Sequence, residues 1–400
     1  MAKLLSIRIK NYRSFYSEQL LCFGKDSPRD VTAIFGPNSG GKSNTAKAIG
    51  LIQDIIAKSA NADFELPYDP FRLREGSDNE DCFFEIAFIS GDRHFLYSFA
   101  FNAEYITLEA LKEKSEKVNR LRVIFSRDEK GIMNKSAEKF GFGKRLLNKT
   151  RPSTLLVTKA REDNNSYANV VFDMIDSIEV IPGESSIFQS YAIEILRNDP
   201  GLKDKIIDLM RNCDFAIRDI IVESKSINEE FLANSQIPEW IQPYLLRGDI
   251  TFVHTAHAIR DDERKETGLR YFLLDTQESM GTKKFFEMAA PALQALEYGK
   301  TLYIDEFGAF FHPELAKYVI DLFKSERNSK GASLIINTNN TAIMSLKSFT
   351  REDIVLIDKN LNEESIIIPL VNKAIRDTEA FEKRYSQGLY GGFPIIRERS

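Results

Sequence analysis

Eight residues near the N-terminus, Gly36-Pro37-Asn38-Ser39-Gly40-Gly41-Lys42-Ser43, satisfy the pattern G-x-x-x-x-G-K-[ST] at every position. The glycines let backbone N–H groups close around phosphate oxygens, and a helix starting at such a loop adds its dipole. A lysine at 42 can reach the β- and γ-phosphates of a nucleoside triphosphate, and a serine at 43 can ligate Mg²⁺. On this pattern Asn38, Ser39, Gly40, Gly41, Lys42, Ser43 and the following Asn44 are candidates for holding ATP. A Gly-rich turn that merely opens a helix is the blander alternative. The flanks argue against it. Val31-Thr32-Ala33-Ile34-Phe35 is a short apolar run that predicts a buried strand, and Thr45, Ile49, Ile52 and Ile56 recur at helical steps.

The second constellation is Thr301-Leu302-Tyr303-Ile304-Asp305-Glu306. An apolar strand that ends in Asp-Glu places Asp305 where it can hold Mg²⁺ through water. Glu306, one residue on, can polarise an attacking water. Two solvated acids at a strand end would look the same in isolation; behind a phosphate loop they read as the catalytic half of an ATPase.

The third lies about 20 residues earlier, where Glu278-Ser279-Met280-Gly281-Thr282-Lys283 opens a predicted helix. An ordinary capped helix start with Ser279 as N-cap gives the same local pattern. With the first two motifs, however, the chain resembles the ABC-type ATPases, which carry a Ser-Gly signature opening a helix shortly before the acidic strand. The form Glu-Ser-x-Gly-Thr-Lys is similar to a branch of soluble ABC-like ATPases related to the SMC and double-strand-break-repair ATPases. This branch comprises AAA family ATPases or ATP-binding proteins frequent in bacterial anti-phage and abortive-infection loci. In that family the Ser and Gly clamp the γ-phosphate held by another subunit in a head-to-tail dimer, which the resemblance carries over to Ser279 and Gly281.

Further segments carry the same resemblance. Ser6-Ile7-Arg8-Ile9-Lys10-Asn11-Tyr12-Arg13-Ser14-Phe15 is similar to the family's opening strand, whose arginine reaches toward nucleotide, and this implies Arg13 as a nucleotide contact. Asp305 to Pro313 resembles the family's Asp-Glu-x5-His-Pro stretch and places His312 in a dimer-facing loop. Tyr385 to Pro394 is similar to its C-terminal tail. There are two departures. Asn339 stands where a switch histidine is expected after Ser333-Leu334-Ile335-Ile336-Asn337-Thr338, so Asn339 is the catalytic candidate there. No convincing Q-loop glutamine lies between the P-loop helix and the hairpin that follows. Both imply slow hydrolysis.

The elements that must position these groups alternate. Phe84, Ile86 and Phe88, then Phe95, Tyr97, Phe99 and Phe101, flank Ser90-Gly91-Asp92 with period 2, which predicts a hairpin. Residues 185–238 read as helical, with a loop at Asn198-Asp199-Pro200-Gly201. From Lys283 onward helices and strands alternate. The expected fold class is α/β, an ABC-type ATPase head with two lobes, an antiparallel hairpin layer and a helical insertion. The expected boundaries are an N-terminal ATPase lobe over 1–180, a helical insertion over 181–248 and a C-terminal lobe over 249–400. The helical insertion is too short for a long coiled-coil arm. Residues 112–151 hold 13 Lys/Arg and 5 Asp/Glu, a net +8 against −13 for the remainder. That stretch reads as a solvated face of extra hairpins or, alternatively, as a surface for nucleic acid or an acidic partner.

Composition sets the outer limits. The 400 residues carry 54 Lys+Arg against 59 Asp+Glu, and 43% are hydrophobic. This is enough for a sizeable core, and too acidic for a uniformly basic nucleic-acid binder. No apolar run approaches the ~20 residues of a membrane helix, and the N-terminus lacks the apolar block of a signal peptide. Cys22, Cys82 and Cys213 are far apart with no CxxC pair, which predicts a cytoplasmic protein without disulfides or a cysteine zinc site. His254 and His257 would face one metal only if helical, and a structural role is the more economical reading; Trp240 is expected in a core.

Together these readings predict an ATP- and Mg²⁺-dependent switch that forms homo-oligomers head to tail. By family analogy it controls an effector such as a nuclease encoded nearby, in anti-phage defence. A DNA-binding repair-type ATPase and a nucleotide-bound scaffold with little turnover stand beside this reading as alternatives.

Overall fold

The computed structural model describes residues 2–115, 118–183, 185–213, 215–226, 249–308, 312–344, 348–373 and 381–391. The chain divides into two units: Met1–Gly183 with Ala295–Ala309 and Ala316–Ser400, and Glu184–Gln294 with Phe310–Leu315.

In chain order the strands are β1 (Ala2–Lys10), β2 (Gln19–Cys22), β3 (Val31–Phe35), β4 (Cys82–Ser90), β5 (Arg93–Phe101) and β6 (Ile106–Ser115). They continue with β7 (Val118–Asp128), β8 (Gly131–Ile132), β9 (Ile178–Ile181), β10 (Ile217–Ser226) and β11 (Asp249–Arg260). The last are β12 (Glu266–Leu273), β13 (Thr301–Ile304), β14 (Ser333–Thr338), β15 (Ile354–Lys359) and β16 (Ser365–Pro369).

The first unit has two sheets. One is antiparallel, in the order β2-β1-β4-β5-β6-β7-β8. Its period-2 phenylalanines point inward: Phe84, Phe88, Phe95, Phe99 and Phe101 are all buried. The expected hairpin turns at Gly91-Asp92, with Ser90 paired to Arg93 and Gly91 at φ 62°. The other sheet runs β16-β15-β3-β14-β13-β9, parallel except for the β15–β16 pair. β3, β13 and β14 are buried at every residue, the signature of parallel strands covered on both faces. The helix Lys42–Lys58 turns Ile49, Ile52 and Ile56 into a core shared with Phe84, Phe99, Ile34 and Tyr303. The α/β class expected from the alternating pattern is what the chain adopts.

The second unit holds the helices Ser185–Asn198 and Pro200–Asn212, the antiparallel sheet β10-β11-β12 and most of the helix Met280–Tyr298. Asp199 accepts from Leu202 N–H and Pro200 occupies the first turn, so the predicted loop is a cap and a helix start. Helical expectation fails over 217–226. Those residues form β10, paired with β11 from Ile217↔His257 to Ser226↔Asp249. The run Ile220-Ile221-Val222 is β-branched throughout, and sheet pairing overrides its weak helical period. His254 and His257 therefore sit on a strand, where residues three apart point to opposite faces. His254 approaches Glu223 at 3.6 Å and His257 lies 2.6 Å from Glu278. Trp240 lies outside the described residues, as do Gly392, Phe393 and Pro394 of the tail. Among the described residues no helix is long and apolar enough to cross a membrane.

Candidate nucleotide site

The loop after β3 is built around missing side chains. A Cβ on Gly36 would stand 2.2 Å from the Ile357 carbonyl oxygen, and one on Gly41 would meet Ser365 Oγ at 2.2 Å and Ser14 Oγ at 2.7 Å. Ser39 at φ 62° and Gly41 at φ 108° take the left-handed conformation, which folds the loop back on itself. The Ser365 hydroxyl donates to Gly40 O at 2.6 Å and its N–H to Ser14 O at 2.7 Å, bracing the loop from β16. Asn44 Nδ2 donates to Ser14 Oγ at 2.8 Å. No side chain caps the helix that begins at Lys42, so its first N–H groups are left for an anion.

Lys42 is 8% exposed, and Nζ donates to Gly36 O (2.8 Å) and Pro37 O (2.9 Å). Burial pushes its ammonium down to about 8, against the opposing pull of Asp305 and Glu306. A phosphate offers this partly desolvated cation a full countercharge that two carbonyls do not.

Asp305 and Glu306 reach the same cleft. Asp305 is 8% exposed, and its Oδ1 accepts from Asn337 Nδ2 and from Glu306 N–H, both at 3.1 Å. Asp305 N–H donates to Ile181 O at 3.0 Å and Phe307 N–H to Asn337 O at 2.8 Å, which fixes the turn from β9 on one side and β14 on the other. Between them Glu306 adopts φ 57° and leaves its carboxylate exposed. The side chain runs over Gly183, where a Cβ would be 2.8 Å from Glu306 Cδ. Asn339 lines the cleft and donates through Nδ2 to Asn38 Oδ1 at 2.9 Å. Thus Asn38 to Asn44, Asp305, Glu306 and Asn339 share one cleft.

Arg13 is placed elsewhere. Its Nε lies 3.0 Å from Asp69 Oδ2, its N–H donates to Asp69 O at 2.9 Å, and it does not line the cleft. Its neighbour Ser14 is the residue that touches the loop. Ser279 and Gly281 belong to the second unit. Ser279 does cap its helix, accepting from Thr282 N–H at 3.1 Å. Just before it, Glu278 Oε1 is held by His257 Nε2 at 2.6 Å and by the Thr255 hydroxyl. His312 Nδ1 accepts from Glu314 N–H at 3.2 Å and so caps the helix Pro313–Lys324.

The residues that motif reading missed are Gly183, Ser14, Ser365, Tyr303 and Asn337. Two left a trace, because a tyrosine and an asparagine inside the otherwise apolar runs 302–304 and 334–337 are out of place unless a polar partner waits there.

Residues 31–345 match the model of the family described as "AAA domain, putative AbiEii toxin, Type IV TA system". The chain belongs to this family. The matched span of the AAA domain runs from β3 past Asn339, so it contains the phosphate loop, the acid pair and the Ser279 helix start; Arg13 and the tail after Tyr385 fall outside it. The chain carries the ATPase fold of that family. Its structure is similar to the SMC head domain from Thermotoga maritima, with 15% identity, 92% of this chain and 98% of that chain covered, and a TM-score of 0.44. It is also similar to an SmcHead bound to the C-winged helix domain of ScpA, with 12% identity, 92% and 97% covered, and a TM-score of 0.42. A third similarity is to an Smc head domain with an extended coiled coil bound to the C-terminal domain of ScpA, derived from Pyrococcus furiosus. There the identity is 12%, with 92% and 96% covered and a TM-score of 0.42. No curated protein matches the sequence.

Proposed function

We infer that this AAA domain binds ATP with Mg²⁺, hydrolyses it slowly, and acts as a switch whose ATP-bound copies associate and control a partner effector in anti-phage defence. The observation that carries the reading is the single cleft in which Lys42, Ser43, Asp305, Glu306 and Asn339 converge. Loop N–H groups and Lys42 hold the phosphates. Ser43 and Asp305 suit Mg²⁺: both offer oxygen, and Asp305 Oδ2 has no hydrogen bond among the described residues. The ion, when bound, neutralises charge on the phosphate oxygens. Glu306 takes a proton as water oxygen bonds to the γ-phosphorus and the bond to the ADP oxygen breaks. Asn339 turns its amide N–H groups from Asn38 to the γ-phosphate, a neutral donor where a charged one would be stronger. The uncharged donor supports slow turnover. It equally suits a scaffold that keeps its nucleotide.

The Ser-Gly helix start at 279–281 supports a site completed by a second copy, Ser279 and Gly281 meeting the γ-phosphate of the partner. The effector and the defence role rest on the family. A second reading, DNA binding, draws on the basic stretch. Arg120, Lys130, Lys135, Lys139, Lys144, Arg145 and Lys149 are exposed and form no ion pair among the described residues. DNA affinity that falls steeply with salt would favour it. The primary reading is tested at Lys42. Lys42→Ala should abolish tight ATP binding in calorimetry while the melting temperature holds; unchanged affinity would overturn it.

A further inference from the structure

Asn337 lies in the middle of the cleft's polar wiring and in none of its motifs. It is 0% exposed, and both amide protons and the oxygen of its carboxamide are hydrogen-bonded. Nδ2 donates to the Lys42 carbonyl at 2.9 Å and to Asp305 Oδ1 at 3.1 Å, and Oδ1 accepts from the Tyr303 hydroxyl at 2.9 Å. Lys42 O is an obligate acceptor and an ionised Asp305 is another, so two protons must come from position 337, and an oxygen must face the tyrosine. Aspartate would set a carboxylate against both acceptors. Leucine has the shape but no protons, and threonine is too short to bridge them. Asparagine alone among side chains of this size fits all three.

The consequence falls on the carboxylate. With Asn337 Nδ2 and Glu306 N–H both on Oδ1, Asp305 is held with Oδ2 free of hydrogen bonds among the described residues. The same amide ties that carboxylate to the backbone of Lys42, one residue before Ser43. We propose that Asn337 is a positioning residue that sets the two candidate Mg²⁺ ligands, Asp305 and Ser43, in register across two elements distant in sequence. This rests on the ATP- and Mg²⁺-binding reading and adds a residue to it. On this proposal Asn337 acts through Asp305 and Lys42.

The test separates metal-linked binding from binding itself. ATP is titrated by calorimetry into the full chain in Mg²⁺ and again in EDTA, and the ratio of the two affinities is the metal's contribution. Asn337→Leu should lower that ratio about ten-fold or more and leave the EDTA affinity within about three-fold, because loop N–H groups and Lys42 still meet phosphate. Asp305→Ala should lower the ratio similarly, and adding Asn337→Leu to Asp305→Ala should lower it no further, since no carboxylate remains to be positioned. A ratio unchanged in Asn337→Leu overturns the proposal. So does equal loss in both titrations, which is the mark of a merely structural residue, and so does an additive double variant. Where Asn337→Leu fails to fold, Asn337→Ser, too short to reach Asp305, is read by the same ratio. An unsubstituted protein that binds no ATP in either buffer sinks the functional reading as well, whereas tight ATP binding with an unchanged variant ratio sinks the positioning role alone.

Discussion

Gly183→Ala tests whether the placement of Glu306 matters. The added Cβ would stand 2.8 Å from Glu306 Cδ, 2.9 Å from Cγ and 3.0 Å from Oε2. Carbon atoms in contact settle near ~3.5–4.0 Å, so something must move by about 0.5–1 Å. The main chain of the turn is the stiffer partner, pinned by Asp305 N–H on Ile181 O, Glu306 N–H on Asp305 Oδ1 and Phe307 N–H on Asn337 O. The Glu306 side chain is exposed and turns about its own torsions, so it takes up the shift. Gly183 does not occupy the left-handed region, so alanine brings no backbone strain there. A misplacement of about 1 Å at a reacting group costs on the order of 10²-fold. Single-turnover ATP hydrolysis should therefore fall about 10- to 100-fold, with Glu306→Gln as the floor. ATP affinity should stay within about two-fold, because nothing that meets phosphate has moved. A normal rate with folded protein would mean that Glu306 does not need this position, and another residue would then have to orient the water. A large loss of affinity would mean that the clash travels into the phosphate loop and that the turn is softer than its hydrogen bonds indicate.

The other predictions concern the lysine, the shared site and the switch position. Because burial lowers Lys42 to about 8 and a phosphate raises it, ATP binding near pH 8.5 should take up a proton. Calorimetry in two buffers of different ionisation heat reads that uptake, and it should vanish near pH 6, where Lys42 is already charged. Lys42→Ala and Ser279→Arg should each be inactive alone and regain part of the ATPase rate when mixed; no recovery, with exchange of chains demonstrated, would place the whole site in one chain. Asn339→His should raise turnover about ten-fold, roughly 1.4 kcal/mol of barrier, with ATP affinity nearly unchanged. A flat rate would show that residue 339 is not beside the γ-phosphate during reaction.

What the sequence made legible follows from how local each feature is. The phosphate loop, its strand and its helix are contiguous, so one pattern and two periodicities were enough, and β3 and Lys42–Lys58 lie where those periods put them. The hairpin of β4 and β5 was legible for the same reason. Asn337 was not, because its partners Lys42 and Asp305 are 295 and 32 residues away and no local period connects them. Gly183 looks like any loop glycine until Glu306 is laid over it. β10 was misread because isoleucine and valine fit both a helix stripe and a strand, and the deciding partner, β11, lies beyond the 22 residues that separate them. Arg13, which the resemblance offers as a nucleotide contact, lies against the carboxylate of Asp69, a partner 56 residues away that no local pattern announces.

The charge within the cleft bears on the switch reading. Among the described residues that line it, Lys42 is the one cation, set against Asp305 and Glu306. Asn38, Asn44, Asn337 and Asn339 contribute dipoles but no charge. A triphosphate brings several negative charges into this space, and hydrolysis concentrates more on the leaving oxygen. On the reading proposed above, Mg²⁺, Lys42 and the helix N-terminus offset the charge of the bound state. Stabilising the transition state asks for further donors at the γ-phosphate, and Arg13 is paired with Asp69. On the reading proposed here those donors arrive with a second copy, through a helix N-terminus capped by Ser279. Nucleotide binding would then belong to the single chain, and turnover to the assembly.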